Sequence, residues 1–256
     1  MITSVIIPVW IKDEECLQVT KACIESIKQA DGSDIELILI DNGSEVGGGY
    51  LRQEASIYAR FPKNVGFTPA VNLGLKIARG GVVAIANNDI RLPKNWETVC
   101  REILTKNPGV ATVHPRMQLY NEPFKFGDLV AIGGRERWCG NSFVVTSRSF
   151  LNQFREVEEG KEPYPGLLDE NFGVGGGGDD WDFYFRVRKL GKQCYTNKTA
   201  FQHLDSFTLK KMGAERQKIS NENDEYFTKK WGIKKEEWFA NEFPSQMTED
   251  WRGGFK

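Results

Sequence analysis

Three short apolar runs constrain this chain more than any other feature. Thr3–Val9 reads TSVIIPV, Ile35–Ile40 reads IELILI and Val82–Ala86 reads VVAIA. Near-continuous aliphatic runs of this length mark strands covered on both faces, and such strands belong to parallel sheets. Segments of helical period lie between them. Asp13 is placed to cap a helix carrying Cys16, Val19, Cys23 and Ile27 at helical spacing. Thr68-Pro69 predicts another start, with a hydroxyl cap and proline at the first helical position. Val71, Leu75 and Ala78 form its apolar stripe, and Gly80-Gly81 ends it. Trp96, Val99, Cys100, Ile103 and Leu104 mark a third helix, stopped at Asn107-Pro108 before a strand over Val110–His114. The alternation predicts an α/β fold, a mostly parallel central sheet flanked by helices. In such sheets ligands bind beyond the carboxyl ends of the strands. Three of those ends carry polar groups: Trp10 to Asp13, Asp41 to Ser44, and Asn87 to Asp89.

The second half reads differently. Asn141–Thr146 predicts a strand and Arg148–Phe154 a helix, followed by an irregular stretch through Pro163, Pro165 and Gly173–Gly178. Asp179–Leu190 returns to helix and Cys194–His203 to strand. Thr208–Glu237 mixes eight basic with six acidic residues, which predicts a solvated helical tail rather than a basic binding patch. The aromatic residues of Thr208–Lys256, Phe227 and Trp231 among them, favour packing on the core over contact with a partner or membrane. The net charge of −1 argues against binding nucleic acid by charge. No apolar run approaches the ~18 residues of a membrane span. No signal-like segment follows Met1, so a cytoplasmic chain is expected, with peripheral contact at a membrane surface left open. Five widely spaced cysteines without a CxxC pair, and only two histidines, predict reduced buried thiols rather than a zinc cluster.

Three places carry candidate chemistry. Asn87-Asn88-Asp89 ends a buried strand, where it reads either as a turn or as a carboxylate between amides suited to a hard cation. Asp179, Asp180 and Asp182 open a helix after a glycine run. They read either as acids favouring a helix N-terminus or as a general base beside substrate. The glycine run lacks the preceding strand of a dinucleotide fingerprint. His203 ends an apolar strand, as a packed residue or as a metal ligand.

Taken together, these segments resemble the family 2 glycosyltransferases with the GT-A fold. Val5-Ile6-Ile7-Pro8-Val9-Trp10 is similar to that family's first strand, and Ile38–Ser44 to its VDNGS strand end. Asn64-Val65-Gly66-Phe67 through Asn72-Leu73-Gly74 resembles its N-x-G-F…N-x-G loop and helix. Asn87-Asn88-Asp89 stands where the DxD motif belongs, in an NND form similar to rhamnosyltransferase-like members. Trp138-Cys139-Gly140 resembles the acceptor-side segment. Asp169-Glu170-Asn171-Phe172, then Asp179–Asp182 and Arg186, resemble DE-x-F…ED-x-D…R. His203 falls at the downstream metal-binding histidine. The resemblance spans residues 3–208 in order.

The resemblance implies a GT-A catalytic domain over 1–206, with a Rossmann-like nucleotide-sugar half (1–115), an acceptor half (116–206) and a C-terminal helical extension (207–256). It implies an inverting transfer from a nucleotide diphosphate-sugar, UDP before dTDP or GDP, to a hydroxyl of a glycan or glycoconjugate. Pro8, Val9 and Trp10 would line the base pocket, and Asp41 would hydrogen-bond the base. Asn64, Gly66 and Asn72 would shape the neighbouring wall. Asn87 and Asn88 would face the nucleotide-sugar. Asp89 and His203 would bind Mn²⁺ or Mg²⁺. Asp180 would be the general base, with Asp179 beside it at the acceptor. Trp138, Gly140 and Trp181 would lie on the acceptor side, each Trp either stacking on sugar or packing in the core. Asn87 in place of the first acid leaves a catalytically inactive, sugar- or nucleotide-binding GT-A domain as the alternative. A nucleotidyltransferase or dehydrogenase fits poorly, because Val9-Trp10-Ile11-Lys12-Asp13 is not a phosphate-cradling loop.

Overall fold

The computed structural model describes residues 1–31, 34–119, 135–136, 142–158, 168–174, 177–204, 207–212 and 214–232. Its elements run in the order β1 (Ile2–Val9), α1 (Glu14–Lys28), β2 (Asp34–Asn42), α2 (Gly48–Glu54), β3 (Ile57–Phe61), α3 (Phe67–Ile77), β4 (Val82–Ala86), β5 (Ile90–Arg91) and α4 (Trp96–Lys106). They continue with β6 (Val110–Leu119), β7 (Arg135–Glu136), β8 (Phe143–Ser147), α5 (Arg148–Glu158), α6 (Asp179–Lys189), β9 (Gln193–His203), α7 (Phe207–Lys210) and α8 (Ala214–Trp231).

One sheet joins the strands in the order β3-β2-β1-β4-β8-β6-β9-β5, with β7 also on β9. The first four are parallel, as the unbroken apolar runs of β1, β2 and β4 predict. β8 runs antiparallel to both β4 and β6, and β9 returns parallel to β6. The runs are apolar throughout because both faces are covered. Val5, Ile7, Leu37 and Leu39 pack with Cys23, Ile24 and Ile27 of α1 and with Trp96 of α4. Ile6, Ile38 and Ile40 pack with Val71 and Leu75 of α3 and, further along the sheet, with Phe154, Trp181 and Phe227. Each fully buried Ile contributes roughly 1.5–3 kcal/mol. Gly74 sets the approach of α3 to the sheet: a Cβ there would lie 2.3 Å from Ile6 Cγ2.

Asp13 caps α1 as expected, its Oδ1 accepting from Cys16 N at 2.9 Å. The start of α3 differs from the sequence reading. The helix begins at Phe67 with Gly66 at the cap position, φ +98°, and no side chain caps it. Thr68 is instead buried in the first turn, its Oγ1 without a hydrogen-bond partner among the described residues. Gly66 takes that place because the chain must turn there against Val174 Cα, which a Cβ would meet at 3.3 Å. α2 and β3 escaped the reading because IYARF is a half-buried edge strand without a continuous apolar run. α8 is helical, and it packs on the core, the outcome favoured for its aromatic residues. Phe227 is fully buried in the second core cluster and Trp231 packs against it. The four described cysteines, Cys16, Cys23, Cys100 and Cys194, are buried and form no disulfide among the described residues. No helix among the described residues is long and apolar enough to cross a membrane.

Candidate active site

The site is built from the carboxyl ends of the central strands. β4 runs out at Ala86, and the chain turns through Asn87-Asn88-Asp89 into β5. β5 pairs antiparallel with the end of β9, Ile90 opposite His203. Leu204 N donates to the Asp89 carbonyl at 3.0 Å. This pairing brings two groups distant in sequence together: His203 Nε2 lies 3.1 Å from Asp89 Oδ1, both side chains buried. The other oxygen, Asp89 Oδ2, accepts from Phe207 N at 3.0 Å. Asn88 turns inward, its amide donating to Thr20 Oγ1 of α1 at 2.9 Å. Asn87 is half-exposed, and its carbonyl accepts from Cys23 Sγ at 3.3 Å. The structure therefore brings Asp89 and His203 together but uses the Asn88 amide to hold α1.

At the end of β1, Pro8 and Trp10 are partly exposed, whereas Val9 is fully buried. Its place on the base wall is corrected. Strand alternation points that side chain into the core, so Val9 offers only backbone, its carbonyl accepting from Ser44 Oγ at 3.4 Å. Asp41 is likewise enclosed. Ser44 N donates to its Oδ1 at 2.8 Å and Tyr58 Oη to its Oδ2 at 2.7 Å, and Arg60 pairs with the same oxygen. Arg60 also donates to the Ser44 carbonyl at 2.8 Å. The carboxylate fixes the Asp41–Ser44 turn, enclosed by Tyr58 and Arg60. Asn64 and Gly66 shape the adjoining loop: Asn64 Oδ1 accepts from Gly66 N and from the Asn42 amide, each at 2.9 Å. Asn72 is buried and makes three hydrogen bonds. It donates to the Leu168 carbonyl at 2.8 Å, accepts from Leu168 N at 3.0 Å, and donates to Glu170 at 2.8 Å. That clasp ties α3 to the loop leading into α6.

α6 begins after Gly177 and Gly178, both at positive φ, and a Cβ on Gly178 would lie 2.8 Å from Phe172 Cε1. Its first turn carries Asp179, Asp180 and Asp182. Asp180 accepts from the Trp181 amide at 2.9 Å. Burial first, then the charges of Asp179 and of Asp224 from α8, raise its carboxyl from the ordinary value to about 8. Asp182 is wholly buried and paired with Arg186 at 2.9 Å, so its work is structural. Trp181 is corrected from the acceptor side to the core: it is 4 % exposed, edge-on to Tyr184 at 6.2 Å between centroids, with no open ring face for a sugar. Trp138 and Gly140 lie outside the described residues.

The sequence reading missed Tyr58, Arg60, Thr20 and the polar contacts of α8. Asn223 of α8 accepts from Gly173 N at 2.7 Å, and Tyr226 and Lys230 reach Asp169 at 2.8 and 2.9 Å. No local pattern marks such residues; only the docking of α8 gives them a role. Asp89 and His203 fit a divalent cation by donor type. A carboxylate and an imidazole nitrogen face each other, and Asp89 Oδ1 is buried without a well-formed hydrogen bond. No cluster of three such donors occurs among the described residues. Further ligands would have to come from outside this pair.

Residues 4–155 match the family model described as Glycosyl transferase family 2. No curated protein matches by sequence. The crystal structure of S. aureus TarS aligns with a TM-score of 0.59 at 13% identity, over 96% of this chain and 46% of that one. The structure of S. aureus TarS 1-349 in complex with UDP aligns at 0.57 and 15% identity, over 96% and 82% of the two chains. The mannosyltransferase PcManGT from Pyrobaculum calidifontis, in complex with GDP-Man and Mn²⁺, aligns at 0.58 and 16%, over 79% and 56%. The chain thus spans less than half the length of the first of these. At such identities the likeness is one of fold, and the fold is GT-A.

Proposed function

The chain belongs to glycosyl transferase family 2, and on that premise we propose that it is an inverting glycosyltransferase. It moves a sugar from a nucleotide diphosphate-sugar to a hydroxyl of a glycan or glycoconjugate. The observation that carries this reading is the pairing of Asp89 with His203, 3.1 Å apart at the carboxyl end of β4. Mn²⁺ or Mg²⁺ is the implied cofactor, held by these two residues, and when bound it would neutralise the charge of a diphosphate leaving group. The solved structures with similar folds, one with UDP and one with GDP-Man and Mn²⁺, support the same class of donor.

The chain's own residues supply the rest. Pro8 and Trp10 bound the base pocket, with the Asp41–Ser44 turn and the Asn64–Gly66 loop beside them. Asn87 faces the nucleotide-sugar. Asp180 takes the proton of the attacking hydroxyl. An alcohol is a weak nucleophile at neutral pH, so a carboxylate of raised pKa at the acceptor oxygen lowers the barrier as the bond forms. Asp179 lies next to it at the acceptor. The transfer releases the nucleotide diphosphate and leaves the proton on Asp180.

A donor panel tests the reading. UDP-, dTDP- and GDP-sugars are mixed with the protein, with Mn²⁺ or with chelator, and thermal shift and diphosphate release are followed. Metal-dependent stabilisation by one donor, with slow diphosphate release, is the expected result. Stabilisation without release, even with candidate acceptors, would favour a binding domain, the reading that Asn87 in place of the first acid suggests. Pyrophosphate release would sink both.

A further inference from the structure

Four charged side chains form a cluster that the proposed chemistry does not use. Asp169 and Asp182 are 1 % and 0 % exposed, and Arg186 is 3 % exposed. Lys230 of α8, 13 % exposed, joins them. Its ammonium donates to Asp169 Oδ2 at 2.9 Å and pairs with Asp182 Oδ1. Tyr226 Oη donates to the same Asp169 oxygen at 2.8 Å. Trp231 Nε1 and Arg186 Nε donate to the two oxygens of Asp182, each at 2.9 Å. Two anions face two cations, so the cluster is balanced inside the protein.

Asp169 and Asp182 bracket the segment that carries Asp179 and Asp180. Asp169 sits in the loop that Asn72 clasps from the nucleotide half. Asp182 lies in the first turn of α6, its own N–H bonded to the Gly178 carbonyl at 2.8 Å. Between them stand Gly173, Gly177 and Gly178, the last two at positive φ, and glycine gives the backbone wide conformational latitude. A loop of that kind does not hold a carboxylate to the tolerance a proton transfer needs. The observed tie between its two ends is Lys230, a residue from the far C-terminal side of the described chain. Asn223 adds a second strut on the same helix, bonded to Gly173 N and, at 3.4 Å, to its carbonyl.

We infer that Lys230 is a positioning residue for the proposed transfer: by bridging Asp169 and Asp182 it holds the start of α6, and with it Asp180, against the loop fixed by Asn72. α8 thereby supports the catalytic machinery without touching substrate. This rests on the reading of Asp180 as the base.

The test uses the full chain with Lys230→Met, Lys230→Arg and the milder Tyr226→Phe. Turnover, donor KM and the pH–rate profile are measured at matched folded fraction. Hydrogen exchange over residues 168–183 is followed in parallel. A displaced base should cost Lys230→Met on the order of 10²-fold in kcat. Donor KM should stay within about twofold, since the interaction lost is not one with the donor. Its exchange should rise over 168–183 and not in β1–β4. Lys230→Arg should restore most of the turnover, and Tyr226→Phe should fall between. If Lys230→Met keeps kcat and exchange, or loses turnover only in proportion to unfolding, the inference is overturned. If Lys230→Met does not fold, Tyr226→Phe against the wild type decides by the same criteria. A wild type that releases no diphosphate overturns the functional reading instead, and the exchange result still decides whether Lys230 holds α6 in place.

Discussion

Replacing Asp180 by Asn should abolish turnover and yet stabilise the protein. The residue is partly buried in the first turn of α6, and burial together with Asp179 and Asp224 raises its carboxyl to about 8. In the unfolded chain an Asp titrates near ~4. Between those two values the native state keeps a proton that the unfolded state has released. Stability therefore falls as pH rises through this window, by at most about 1.4 kcal/mol per unit from this one group. Part of the residue is open to water, which relieves some of the cost. A gain of roughly 1–3 kcal/mol for Asp180→Asn at pH 7.5, closing toward zero near pH 4, is a fair expectation. Chemical denaturation of both proteins at the two pH values measures it, and the difference between variants cancels the other titrating groups. Diphosphate release measures the loss of chemistry, expected at ~10²–10⁴-fold. In the wild type, kcat should climb with pH along a limb of unit slope and level off above about 8. An Asp180→Asn protein that is less stable at neutral pH, or that gains the same amount at both pH values, would refute the desolvation argument. One that keeps its turnover would refute the role of the base.

Further outcomes follow from other parts of the structure. Asp89→Asn and His203→Ala should each weaken the Mn²⁺-dependent thermal shift given by a nucleotide diphosphate while sparing the shift of the nucleoside alone; equal loss of both would argue against metal binding at this pair. Asn72→Ala removes three hydrogen bonds to Leu168 and Glu170 and leaves the Leu168 peptide unpaired. It should cost about 2–4 kcal/mol in denaturant unfolding, and a loss below ~0.5 kcal/mol would mean the clasp is not formed. Gly74→Ala drives a methyl to 2.3 Å from Ile6 Cγ2, in a packed interior with nowhere to yield. It should destabilise by at least ~1–3 kcal/mol, read as a fall in Tm; an unchanged Tm would show that α3 can lift from β1.

Much of the fold was legible because it is written locally. Strands buried on both faces must be apolar throughout, so β1, β2 and β4 stand out as runs. α1 and α4 show their period because one face of each meets the sheet. The cap at Asp13 is a local hydrogen bond, and the sequence names it correctly. Edge elements are harder: β3 buries little, so nothing in IYARF demands a strand. Thr68 shows the limit of capping rules. Its hydroxyl and the following proline suit a helix start, but the close approach of Val174 required glycine at the cap, and the helix begins two residues earlier.

The site divides along the same line. The sequence by itself determined which chemical groups are present and which strand ends carry them: Asp41, Asn87 to Asp89, and the acids that open α6. Only the tertiary structure decided their use. Strand alternation and helix packing turned Val9 and Trp181 into core. Arg60 and Tyr58 closed over Asp41. The antiparallel pairing of β5 with β9 set His203 beside Asp89, and the docking of α8 placed Asp224 toward Asp180 and Lys230 between two buried carboxylates. Burial and the distance between charges govern what a titratable group can do, and both depend on neighbours remote in the chain.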